Sequence, residues 1–184
     1  QNKQGIDYLE VPGSWINYLV LNCTRPPFSK VEARQAVAHA INREEIIKAA
    51  LFGHGTPAYT NVPDLSPFTF DLDIPNRDIT KAKQLMNEAG YRGEVEAVNL
   101  VLGGFEDMKA AGETLQHQLS AIGMNLIPQV TDPGLWVDRV LKSEPPKDYD
   151  AAITGSIEGL DPSFRLDIYF TSDGSFNLSG YSNP

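Results

Sequence analysis

Between residues 95 and 154, strand-like and helix-like patterns alternate without interruption, which leaves the chain few architectures to choose from. Residues 95–102, VEAVNLVL, are rich in branched apolar residues and read as a strand. Residues 106–122 set Met108, Ala111, Leu115, Leu119 and Ile122 on one helical face, and Gly123 supplies the stop. Residues 124–130, MNLIPQV, read as a strand whose Pro128 belongs at an edge or a bulge. Asp132 caps a helix over 133–142 with Pro133 at its first position, and a strand follows at 149–154. This order predicts an α/β domain with a mixed, mostly parallel sheet flanked by helices.

The upstream half extends the pattern. Residues 1–14 are polar and read as a lead-in with one weak strand, followed by a firm strand at 16–22, INYLVLN. Arg25-Pro26-Pro27 forces a turn, after which Ser29 and Glu32 have the spacing of a capping box. Val31, Val37, Ala40 and Ile41 line the helix so opened; Glu44-Glu45 begins a shorter one through Leu51, ended by Gly53. Residues 53–77, with Pro57, Pro63, Pro67 and Pro75, form a long loop that also carries Tyr59, Leu65, Phe68 and Phe70. Asp78 caps the next helix, whose apolar face is Ile79, Ala82, Leu85, Met86 and Ala89, and Gly90 ends it.

A chain of 184 residues suits one domain, or one large lobe of something longer. Its net charge of -9 argues against a protein that binds nucleic acid by neutralising phosphates. No stretch approaches the roughly 20 apolar residues that span a bilayer. The absence of an initiator Met and of a basic-then-apolar leader reads as a mature product or an excised piece. Cys23 is the sole cysteine, so no intrachain disulfide forms, and it is expected as a small buried hydrophobe of the first strand. His39, His54 and His117 lack metal-ligand spacing, so no metal or cofactor is expected.

The strand at 149–154 empties into a small acidic loop, Gly155-Ser156-Ile157-Glu158-Gly159-Leu160-Asp161. In open sheets of this kind, ligands sit beyond the carboxyl ends of the strands. Glu158 and Asp161 form a candidate acid pair for a small hydrolase or glycosidase. Asp161-Pro162-Ser163 is equally a helix start, with Asp161 as its cap. No G-x-S-x-G elbow occurs, and Gly103-Gly104 has neither the third glycine nor the Lys-Ser/Thr of a phosphate loop. No catalytic residue is therefore assigned.

Four motifs in order carry a family resemblance: LNCTRPPFSKVEARQAVAHAINREEII (21–47), RDITKAKQLMNEAGY (77–91), ETLQHQLSAIGMNL (113–126), and YDAAITGSIEGLDPS with NLSGYSNP (149–163 and 177–184). Together they resemble the C-terminal lobe of the family 5 extracellular solute-binding proteins, the oligopeptide-, dipeptide- and nickel-binding class of ABC importers. The resemblance implies a single lobe, residues 1–184, of a longer two-lobed protein of the type II periplasmic-binding-protein fold. It further implies a non-enzymatic, monomeric protein, periplasmic or extracellular, with lipid anchoring an option in the full-length form. Such a protein holds a peptide or other small solute between its lobes and hands it to a membrane permease. A sensor or chaperone-like binding module is the alternative use of the same scaffold.

In peptide-binding members the loop matched by 155–161 carries an aromatic residue and then an aspartate that pairs with the ligand's α-ammonium group. The resemblance puts Glu158 at the aspartate's position, with a solvated loop-tip acid as the other reading. Gly155, Ser156 and Ile157 complete the expected ligand-binding loop. Ser156 stands where the family's aromatic sits, so the stacking wall is lost. Trp136 resembles an aromatic that some members turn into the cleft, its alternative being a core tryptophan under its helix. Asn22 reads as a hinge or backbone-satisfying residue.

Overall fold

A computed structural model describes residues 7, 9–63, 65–68, 76–144, 146–159 and 161–182, without the Phe164 side chain. The predicted weak strand within 1–14 lies partly outside these residues, and 9–14 carry none; residues 64 and 69–75 of the long loop also lie outside. In chain order the elements are β1 (Trp15–Leu21), α1 (Val31–Ala40), α2 (Arg43–Leu51), α3 (Ile79–Glu88), β2 (Val95–Leu102), α4 (Glu106–Ser120), β3 (Met124–Thr131), α5 (Pro133–Trp136), β4 (Ala151–Ile157) and α6 (Ser163–Phe170). The strands form one sheet in the order β1-β4-β2-β3. β2 runs parallel to both β3 and β4, while β1 lies antiparallel to β4 at the edge. Pro128 sits on β3, the other edge, where a missing N–H leaves no ladder bond unmade.

Helices cover both faces. On one, Leu19, Leu21, Ala97, Leu126 and Ala151 point toward α1, α3 and α4, whose buried contributions include Ala36, Val37, Met86 and Leu119. On the other, Val20, Leu100 and Ala152 pack with Trp136, Val140, Tyr149 and Leu178. The alternation along each strand is the two-residue period of the pleat. Among the described residues no helix is long and apolar enough to cross a membrane.

Side-chain caps explain three of the six described helix starts. Asn42 accepts from the Glu45 N–H, Asp78 from the Lys81 N–H, and Asp132 from the Gly134 and Leu135 N–H groups. The capping box at Ser29 does not form. Ser29 is still inside a turn, its N–H bonded to the Arg25 carbonyl, and α1 starts at Val31 without a side-chain cap. α2 turns left-handed one residue before Gly53, at Phe52, whose φ is 54°. The helix predicted over 133–142 is α-helical only to Trp136; Val137–Leu141 is π-helical, closed by the Lys142 N–H on the Val137 carbonyl at 3.1 Å. Cys23 is half-buried in the turn after β1, not inside the strand, because its N–H pairs with the Ser179 carbonyl at 2.7 Å.

Candidate functional site

The expected binding loop begins as strand. Gly155, Ser156 and Ile157 belong to β4, held by β1 through the pairs Asn17↔Gly155, Ile16↔Ser156 and Trp15↔Ile157. The ladder with β2 stops earlier, at Val101↔Ile153. β2 turns away there because the Gly103 N–H bonds the Thr131 carbonyl of β3 at 2.9 Å. So close is that approach that a Cβ on Gly103 would lie 2.8 Å from the same oxygen.

The hydrogen-bond phase of the ribbon tells which groups this leaves over. Asn22 N–H bonds Asp150 C=O and Glu158 N–H bonds Ser14 C=O, both at its two ends, so even-numbered residues of β4 face β1. The odd-numbered residues face the β2 side. Beyond Ile153, the N–H and C=O of Gly155 and the N–H of Ile157 therefore point into a gap with no partner among the described residues. The Ile157 carbonyl takes a donor, the Arg165 guanidinium, at 2.6 Å. The site is thus a short open strand edge at the carboxyl end of a parallel sheet.

Behind this edge lies a polar cluster that joins β1, β4 and α6. Glu158 is 3% exposed, which corrects the reading of it as a solvated loop-tip acid. Its Oε1 accepts from the Tyr18 and Ser156 hydroxyls, and its Oε2 lies 3.4 Å from Arg165 Nε. That last contact is an ion pair without hydrogen-bond alignment, and Oε2 is left buried with no aligned donor among the described residues. Tyr169 closes the cluster from α6, its hydroxyl on Ser156 Oγ at 3.3 Å and its ring 6.3 Å from that of Tyr18. Burial, with the Glu158 carboxylate second, drives the Tyr18 phenol's pKa upward, so it stays a donor.

The other named residues separate from this cluster. Trp136 is in the core as a packing residue, 2% exposed, its indole N–H on the Leu100 carbonyl at 3.2 Å. Asp161 is exposed and accepts from the Ser163 N–H at 2.9 Å and from its hydroxyl at 2.7 Å. These bonds, the backbone one first, hold the Asp161 pKa below the usual carboxylate range. A hydrolytic pair would need one acid kept protonated. Here Glu158 is ion-paired, and Asp161 is tied into the turn that precedes α6; the cap position falls on Pro162 and the helix starts at Ser163, so the expectation of Asp161 as the cap with Pro162 first is not met. Among the described residues no group of three metal-ligating side chains occurs. A groove of about 790 Å³ adjoins this site; its lining includes Trp15, Asn17 and Phe170 together with Thr56, Pro57 and Tyr59.

The sequence analysis missed Tyr18, Arg165 and Tyr169. Tyr18 and Glu158 are 140 positions apart, and only the β1–β4 register brings them together. The alternation Ile16, Tyr18, Val20 in β1 was the available signal for Tyr18.

Comparison with known proteins places this geometry. Residues 1–177 match the model of the bacterial extracellular solute-binding proteins, family 5. A probable peptide ABC transporter periplasmic-binding protein of Sinorhizobium fredii is 33% identical over 153 residues, 78% of this chain and 26% of its own length. The glutathione-binding protein GsiB of Escherichia coli K12 is 26% identical over 134 residues, 73% of this chain and 26% of its own. The chain therefore spans about a quarter of the length of these relatives. Among solved structures, the ABC transporter substrate-binding protein CtaP of Listeria monocytogenes superposes with a TM-score of 0.85 at 30% identity, covering 94% of this chain and 36% of that one. The oligopeptide-binding protein AppA of Bacillus subtilis, solved with a nonapeptide, gives 0.80 at 25% identity over 94% of this chain and 37% of its own. The mixed sheet with helices on both faces is that of the type II periplasmic binding proteins. The chain belongs to the bacterial extracellular solute-binding proteins of family 5.

Proposed function

We propose that this chain is a ligand-binding lobe of the substrate-binding component of an ABC importer, and that its ligand is a peptide. The whole protein would work outside the cytoplasm, closing two lobes on the ligand and delivering it to a membrane permease without chemical conversion. The observation that carries the peptide reading is the open edge of β4. Three main-chain groups on Gly155 and Ile157, without a partner among the described residues and spaced as in a strand, match the alternating donors and acceptors of an extended peptide. A solute without a repeating amide has nothing to offer that spacing.

Glu158 serves the same site from its unfilled oxygen. Oε1 is engaged by Tyr18 and Ser156, whereas Oε2 lacks an aligned donor. A ligand ammonium supplies one when the partly exposed Arg165 swings aside, giving a charge-assisted bond out of bulk water. Calorimetry of the intact protein against tripeptides and non-peptide solutes of equal charge tests both points. Peptides should bind, and Glu158→Gln should weaken a free-amine tripeptide by at least about tenfold while hardly changing its N-acetylated form. Binding of the non-peptides alone would overturn the peptide reading. An equal loss for both tripeptide forms would overturn the ammonium pairing.

A further inference from the structure

Trp15 has no role in the core, yet it is held in one place. The residue is 52% exposed at the start of β1, directly across from Ile157 in the ladder. Its indole N–H donates to Asn17 Oδ1 at 2.8 Å, which fixes the ring along the strand. Gly155 shows where the ring goes. A Cβ built on Gly155 would lie 2.7 and 2.8 Å from indole atoms of Trp15 and 2.4 Å from Asn17 Oδ1. The indole and the amide therefore occupy the volume that a side chain at 155 would fill.

This closes a gap left by the sequence, where Ser156 took the place of an expected aromatic. Odd-numbered residues of β4 share one sheet face, so the row Ile153, Gly155, Ile157 has a vacancy at its centre, and the Trp15 ring fills it from the neighbouring strand. A chain added along the free edge of β4 puts every second side chain on that same face, beside that row. At the register of Gly155 the side chain meets an indole instead of a hydrogen atom. Exposed Ile157, across the ladder from Trp15, extends the apolar surface, and exposed Phe170 lines the same groove as Trp15.

We infer that Trp15, oriented by Asn17 and admitted by Gly155, is a specificity-determining contact that selects an aromatic or bulky apolar side chain on the bound peptide. The assignment rests on the peptide reading of the β4 edge. The test uses the intact protein and four peptides, Ala-Ala-Ala, Phe-Ala-Ala, Ala-Phe-Ala and Ala-Ala-Phe, titrated by calorimetry. In the wild type one Phe position should bind about fivefold more tightly than trialanine. In Trp15→Ala that ratio should fall to near one, and Trp15→Phe should restore part of it. Fluorescence gives a second readout: the emission change on adding the Phe-containing peptide should be larger in the wild type than in Trp15→Phe, and that difference isolates Trp15 because every other tryptophan, buried Trp136 included, is common to both proteins.

A Phe preference that persists in Trp15→Ala, or no preference at any position in the wild type, overturns the role of Trp15 and leaves the peptide site standing. A wild type that binds none of the four overturns the peptide site, and the Trp15 assignment with it.

Discussion

The two ends of the β1–β4 ribbon each bury a polar side chain, and they treat it differently. At one end Asn22 is fully buried and saturated. Its amide donates to the Lys147 and Tyr149 carbonyls at 3.1 and 2.5 Å and accepts from the N–H and hydroxyl of Thr24 at 2.9 and 2.7 Å. At the other end Glu158 is nearly as buried, but one of its oxygens has no aligned donor, and the strand beside it exposes unpaired main chain. Burying a polar group without its partners costs free energy that a fold can avoid. The complete end holds the chain together; the incomplete end is where the proposed ligand would be received.

The contrast predicts different consequences for mutation. Asn22→Ala strands two carbonyls and the Thr24 groups, and should lower the free energy of urea unfolding by about 2–4 kcal/mol without creating a binding defect of its own. A loss well under 1 kcal/mol would mean that water replaces the amide and that the two ends do not differ. Glu158→Gln keeps the acceptor for Tyr18 and Ser156 but removes the charge facing Arg165. Because Arg165 is 24% exposed and partly screened, the stability loss should be roughly 1–2 kcal/mol, smaller than at Asn22. Gly155→Ala should displace the Trp15 ring, cost about 1 kcal/mol in unfolding, and abolish the Phe preference.

Asp161 should give the smallest effect, and one with a defined sign. Its folded-state pKa is depressed by the bonds to Ser163, so the stabilisation from this turn is present above the ordinary carboxylate range and is lost as pH falls through the depressed value. An acid titration of thermal stability should show a component that Asp161→Asn removes. A component that survives the substitution belongs to another carboxylate.

Much of this fold is written in local pattern. β2 and the stops at Gly90 and Gly123 follow from periodicity and from backbone that only glycine enters readily, with φ of 93° and 78°. Asn42, Asp78 and Asp132 act as caps because their short acceptors reach an N–H two or three residues ahead. Ser29 shows the limit of such signals. The same residue type satisfies a turn as well as a helix, and the neighbouring Pro26-Pro27 decided for the turn.

The site was legible only in outline. Its position at the carboxyl end of β4 follows from strand order, but the partners of Glu158 come from β1 and α6 and depend on register across the sheet. Trp15 lay one residue before the strand read from the sequence, so its place opposite Ile157 was invisible. Gly155 looked like the end of a strand. It is a gap within one, and its reason is the indole that lies over it.

The central claim is that a ligand's main chain pairs with the free edge of β4, and an N-methyl scan tests it most directly. Tetraalanine and its three forms with a single N-methylated internal amide would be titrated against the intact protein. Loss of a donor and the bulk of a methyl group at a strand pairing should weaken binding at least about tenfold at the amide that faces β4, and much less at an amide facing away. Equal affinities across the four peptides would contradict pairing along β4, because a ligand held by its ends and side chains alone would not sense which amide had lost its hydrogen.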